Sequence, residues 1–172
     1  MSSENAIEDE KDYRLKLSSI KLLKSEKAKK AIIETLFGTW INPSNWIINY
    51  SNWSYKPIDH ALYVATFDAP PVHIVVQKQV NLVFLTEVTI HAADVLESVH
   101  ILPTVIVLCL EGIDNKTRRL FQKIKLGCYK AKSGFWTNGF LLFTPELVPH
   151  GNSSLEKLVT QQFFKFKQLT NL

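Results

Sequence analysis

Cysteine and glycine are scarce in this chain, with two Cys and six Gly in 172 residues. Two thiols, Cys109 and Cys128, cannot staple a small domain, and they form neither a CxxC pair nor a short-spaced Cys/His group for structural zinc. The glycines are scattered, so neither GxxxxGK nor GxGxxG occurs and the sequence encodes no loop to cradle a phosphate. GxSxG is missing as well, which removes the nucleophile elbow of an α/β-hydrolase. No apolar run approaches the ~20 residues that a membrane-spanning helix needs. The opening MSSENAIEDEKDYRLK lacks the basic start and apolar middle of a secretory signal. These features predict an intracellular protein, cytosolic or nuclear, with both thiols reduced.

Apolar residues are plentiful. They make up 46% of the chain and include 10 Phe and 4 Trp, enough for the core of one ordinary domain. The net charge of +4 and the pI near 9.0 are mild, but the charge is unevenly placed. From 50 to 112 the bases are Lys56 and Lys78, against Asp59, Asp68, Glu87, Asp94, Glu97 and Glu111. From 113 to 132 Asp114 is the lone acid among Lys116, Arg118, Arg119, Lys123, Lys125, Lys130 and Lys132. Such a density suits backbone phosphates and carries no base specificity, although a solvated helix face followed by a loop has the same look.

Residues 1–26 hold no sustained apolar face and read as a flexible N-terminal arm, leaving one domain over 27–172. Ala28, Ala31, Ile32 and Leu36 fall at helical spacing between a capping Ser25 and a terminating Gly38. Trp46, Ile48 and Tyr50 share one parity, as in a strand near a sheet edge. Two further β-rich runs, 61–67 and 72–80, flank Asp68, Ala69, Pro70 and Pro71 and predict a hairpin. From Asn81 the residues Leu85, Val88, Ala92, Val95 and Val99 form the stripe of a long helix ending near Leu102 and Pro103. TVIVLCL (104–110) is apolar at all positions but one, as in a strand covered on both faces. Strand, helix and covered strand in succession imply a right-handed parallel crossover. After Asp114 the pattern predicts a short basic helix, a loop around 127–134, a strand over 140–143 and a closing amphipathic helix carrying Leu155, Leu158, Val159, Phe163, Phe164 and Phe166. The expected fold is α/β, an α-β-β-β-α-β core with a C-terminal helical addition.

Two side-chain groups have a chemical reading beside a structural one. Glu87, His91 and Asp94 lie at i, i+4 and i+7 on the long helix and could present two carboxylates and an imidazole to one metal ion. A helix with an apolar stripe has a polar face in any case, and that accounts for the same residues. Trp40, Trp46 and Trp53 with Tyr50 and Tyr55 could stack bases, but Lys56 is the sole base beside them and core packing explains them too.

The element order, together with the blocks APPVHIVVQKQVN, LPTVIVLCLEGIDNKTRR and SGFWTNGFLLFTPELV, resembles the PD-(D/E)XK nuclease superfamily. The local blocks resemble its transposase-like family spread by mobile elements, whose members carry PPVxxExQ, LPxVLV and FWAKxCFLxSP-type motifs. The resemblance covers roughly residues 30–170. It implies a restriction-endonuclease-like core, DNA as the partner, and Mg²⁺ held by an Asp before the hairpin and an acid on the next strand, with a Lys or Gln two residues on to orient water. Alignment places Gln77 at that last position and Asp59 as the candidate first Asp, while the second acid falls on Val75. Reading Lys78 as the final residue instead puts Val76 there, so either register lacks an oxygen ligand. Glu87 is the candidate for a relocated carboxylate, and ordinary helix solvation also accounts for it.

The resemblance thus implies a degenerate, non-catalytic nuclease-like domain. It would bind DNA non-specifically through Lys116, Arg118, Arg119, Lys123 and Lys125. The alternatives are an active Mg²⁺-dependent endonuclease or transposase using Asp59, Gln77 and Glu87, and a protein-interaction module presenting its exposed aromatics.

Overall fold

The computed structural model describes residues 21, 23–49, 60–124, 128–132 and 134–146. The greater part of the expected N-terminal arm, the closing helix, and Tyr50, Trp53, Tyr55, Lys56, Asp59 and Lys125 lie outside them.

Helix α1 (Glu26–Phe37) starts where the Ser25 side chain accepts from the Ala28 amide, and it ends at Gly38. It is followed by a 3₁₀ turn (Pro43–Asn45) and strand β1 (Trp46–Asn49). Strands β2 (His60–Ala65) and β3 (Val72–Val80) form the expected antiparallel hairpin around the two prolines. The Asn81 side chain caps helix α2 (Leu82–Val99) by accepting from the Phe84 amide, and β4 (Thr104–Ile113) follows. The β3–α2–β4 passage joins two parallel strands, as the succession of patterns implied.

Beyond β4 the chain departs from expectation. The expected short basic helix is there, α3 (Asn115–Arg118), but strand β5 (Phe121–Ile124) follows it. Strand β6 (Cys128–Ala131) stands where a loop was expected, and β7 (Gly139–Phe143) completes the sheet. In β6 the run Tyr129-Lys130-Ala131-Lys132 alternates apolar residues with lysine, a period of two that overrides its helix-favouring lysines, whereas β5 carries no such alternation.

The seven strands lie in the order β1-β2-β3-β4-β7-β6-β5, with β1 at one edge as expected and β5 at the other. β3, β4 and β7 are mutually parallel in the centre, and the pairings on either flank are antiparallel. Alternation along β3 and β4 sends Ile74, Val76, Ile106 and Leu108 to the face covered by α1, and Val75, Val105, Val107 and Cys109 to the face covered by α2. All of β4 from Thr104 to Leu110 is buried, which is why that run reads apolar almost throughout. Each such fully buried aliphatic side chain contributes roughly 1.5–3 kcal/mol.

Two polar ties fix α1 to the sheet. The buried Lys29 Nζ donates to the Trp46 carbonyl (2.9 Å) and pairs with Glu26 (2.8 Å). The Tyr63 hydroxyl, its ionisation suppressed chiefly by burial, donates to the Leu23 carbonyl, so the packed structure includes residue 23. Cys109 and Cys128 are free and buried, in the cores on opposite faces of the sheet. Burial raises both thiols, Cys128 to about 11, which leaves them unreactive at neutral pH. Among the described residues no helix is long and apolar enough to cross a membrane.

Candidate functional site

Two regions carry the residues that sequence reasoning singled out: the α2-covered side of β2 and β3, and the basic edge built from α3, β5 and β6.

On the first, Val75 is fully buried in the apolar layer beneath α2, paired with His60 on β2 and Val107 on β4. An aliphatic side chain with no exposed surface offers a cation nothing. Gln77, two residues on, is half-buried, and its amide Nε2 donates to the Gln79 carbonyl (3.2 Å). The pairing of β3 with β4 slips just beyond Gln77, where Cys109 pairs with Gln77 but Gly112 with Gln79. This bulge puts Lys78 beside Glu111 of β4 (3.8 Å). Glu87 is half-buried on α2. Among the described residues no three His, Cys, Asp or Glu side chains are grouped to hold a metal ion. The described residues by themselves therefore do not fit the two-carboxylate Mg²⁺ centre that the resemblance implies.

His91 is not part of a solvated polar face. The buried face of α2 carries Phe84, Val88, His91, Ala92 and Val95, so the imidazole points into the molecule. It meets His60 of β2 (ring centroids 6.0 Å apart) and His73 of β3 (6.2 Å). Leu62 and Val95 complete the crevice around the three rings. Burial, then the neighbouring His60 and His91, holds His73 down to about 3, so it is neutral throughout the physiological range. His91 is also lowered, by burial first and by His60 next, while Asp94 and Glu87 oppose the shift. The three rings pack as small aromatic bodies, and sequence reasoning did not join them because they come from three separate elements.

The second region is built differently. Asp114, the lone acid of the basic stretch, caps α3 by accepting from the Lys116 (2.8 Å) and Thr117 (3.1 Å) amides, and the Thr117 hydroxyl donates to its other oxygen. Those bonds hold the Asp114 carboxyl below its ordinary range. The chain then turns into the β5–β6 hairpin, in which Gln122 pairs with Lys130 and Lys123 with Tyr129. Lys116, Arg119, Lys123, Lys130 and Lys132 are exposed. Arg118 differs: it binds Glu146 (2.9 Å) and donates to the Tyr129 hydroxyl (3.0 Å), which raises its pKa further. Of the five expected phosphate ligands, then, Lys116, Arg119 and Lys123 share an edge with their charges turned to solvent. Arg118 is held by a carboxylate, and Lys125 lies outside the described residues.

The tryptophans divide. Trp46 is buried, stacked on Phe37 (4.9 Å) and edge-on to Phe67 (6.0 Å), and so belongs to the core. Trp40 is exposed. Sequence reasoning missed Phe135, the most exposed large apolar side chain among the described residues at 84%, beside Trp136 in the turn before β7.

No protein-family model, curated protein or solved structure matches the chain. The described residues define a mixed α/β domain with a seven-stranded sheet and three helices.

Proposed function

We propose that this chain is a nuclease-like α/β domain that binds nucleic acid through its phosphate backbone and does not cleave it. The observation that carries the reading is the edge formed by α3 and the β5–β6 hairpin. Five exposed cations gather there, and the acids beside them are engaged, Asp114 in capping a helix and Glu146 in pairing with Arg118. Phosphate neutralisation by Lys and Arg needs this kind of presentation and no deep pocket. The non-catalytic half of the reading rests on Val75, whose buried aliphatic side chain stands where the resemblance calls for a carboxylate.

The test is a binding titration against duplex DNA at several salt concentrations, paired with plasmid nicking in Mg²⁺ or Mn²⁺. The reading expects measurable affinity at low salt, a log–log salt slope of about −0.9 per phosphate contacted, and no nicking. Absence of low-salt binding, or a flat salt response, would refute the binding half. Nicking that disappears in Asp59→Ala would refute the other and restore an active Mg²⁺-dependent endonuclease.

A further inference from the structure

Beside the basic edge lies a cleft of about 880 Å³, between the start of α2, strand β5 and the turn that leads into β7. Sites for small molecules range over roughly 300–1,000 Å³, so this one has room for a nucleotide. Its aromatic wall is anchored. Phe140 is fully buried and in ring contact with both Phe121 (5.7 Å) and Trp136 (5.6 Å). The turn carrying Phe135 and Trp136 is pinned at its base, where the Asn138 amide donates to the Pro103 carbonyl (2.8 Å) and the buried Thr137 hydroxyl donates to the same oxygen. Phe135 itself stands out on the rim, almost wholly in solvent. Arg119, Lys130 and Lys132 line the cleft as well, all exposed, and no carboxylate lines it among the described residues.

An occupant complementary to this surface has a flat unsaturated body to lie against the rings and a negative charge to meet the cations. A protein partner with an acidic, aromatic segment satisfies those needs less regularly than an unpaired nucleotide, which joins base and phosphate in a fixed relation. In a duplex the base faces are already stacked and closed to side chains, whereas in a single strand they are free. We infer that the cleft takes an unpaired base of single-stranded nucleic acid, stacked on Phe135 and Trp136 with its phosphates toward Arg119, Lys130 and Lys132. This rests on reading the basic edge as a nucleic-acid surface, and it adds a preference for strand over duplex that the edge alone does not give.

Fluorescence anisotropy on the full chain separates the two claims, using labelled oligo(dT), labelled oligo(rU) and a labelled DNA duplex of equal length. The unsubstituted protein is expected to bind one of the single strands more tightly than the duplex, and which strand it prefers assigns DNA or RNA. Phe135→Ala removes only an exposed ring, and an unchanged thermal melt confirms that the variant folds. It is expected to weaken single-strand binding about tenfold and leave duplex binding as it was. Lys123→Ala, on the edge but outside the cleft, weakens strand and duplex alike. If Phe135→Ala binds the single strand like the unsubstituted protein, or the duplex binds as tightly as either strand, the cleft inference fails while the edge reading stands. If no probe binds at low salt, both fail together, and a cleft filled by a protein partner becomes the better account.

Discussion

The imidazole of His73 stands edge-on to that of His60, with ring centroids 5.4 Å apart and planes at 81°. His73 lies inside the sheet layer, and its Nδ1 has no hydrogen-bond partner among the described residues. With His91 across the crevice, a proton on His73 would be placed without solvent and beside two other imidazoles, which is why its folded pKa falls to about 3.

Acid sensitivity follows from that depression. Between the unfolded value near 6.5 and the folded value near 3, the unfolded chain binds the proton and the folded chain does not. Stability is therefore complete above about pH 6.5 and declines as pH falls through the window below it, at roughly 1.4 kcal/mol per pH unit for one such group. His91, also lowered, adds to the decline, tempered by Asp94 and Glu87 beside it. Urea unfolding at about pH 7.5 and about pH 5 brackets the histidine range while carboxylates remain mostly ionised. The midpoint should drop at the lower pH, and His73→Leu should flatten the difference. Equal midpoints in the unsubstituted protein would show that His73 is solvated.

Gly38 ends α1 with φ at 94° and ψ at 158°, a backbone region that is essentially glycine's alone. A Cβ built there would also lie 2.6 Å from the Trp40 ring nitrogen. Trp40 is exposed and can swing away, so the backbone sets the cost. Gly38→Ala is expected to destabilise by about 1–3 kcal/mol, seen as a lower denaturation midpoint. Gly134→Ala, with nothing within 4 Å of the new methyl group, should change little. Similar midpoints for the two variants would contradict this account.

The hairpin edge makes its own prediction about binding. Arg118 already has a carboxylate at 2.9 Å and a phenol hydroxyl at 3.0 Å, and a phosphate must compete with both. Arg119, one residue on, is exposed and has no ion pair among the described residues. Arg119→Ala should therefore weaken DNA binding and reduce the salt slope by about one contact, whereas Arg118→Ala should cost less. Equal losses would mean that Glu146 releases Arg118 on binding, which Glu146→Gln would expose as a gain in affinity.

Much of this architecture is legible in the sequence wherever one periodicity is undisturbed. Ser25, Gly38 and Asn81 mark helix ends by local chemistry, and Thr104–Leu110 announces its double cover by being apolar almost throughout. The β5–β6 hairpin was hidden by composition. Its lysines raise helix propensity and draw attention to charge, and the alternation that marks a strand is confined to the few residues from Tyr129 to Lys132. His91 could have been placed inside, because Phe84, Val88, His91 and Val95 follow helical steps as well as the stripe through Leu85 and Val99 does. That His91 then meets His60 and His73 depends on how the strands pair, which no local pattern encodes. The aromatic cleft is likewise a product of topology. Phe121, Trp136 and Phe140 are scattered in sequence, and the turn before β7 and the order of the last three strands bring them together.

Val75 offers the most direct test of the proposal that a metal site has been lost. It is fully buried on the α2 face, with Val107 as its neighbour on β4 and His60 as its neighbour on β2. Val75→Glu would put an acid at the motif position, but in an apolar layer where the ionised form is poorly solvated. The variant should lose several kcal/mol of stability and melt well below the unsubstituted protein. The decisive comparison is its melting temperature with and without Mg²⁺ or Mn²⁺. Where other oxygen ligands are poised around the position, the ion binds the folded state alone and raises the melting temperature in proportion to its affinity. Where they are not, the ion leaves the introduced carboxylate without compensation. The reading of a degenerate site expects no shift and no plasmid nicking. A cation-dependent rise in Val75→Glu, missing from the unsubstituted protein and from Val75→Gln, would mean that the surrounding shell is intact and that this one side chain silenced it.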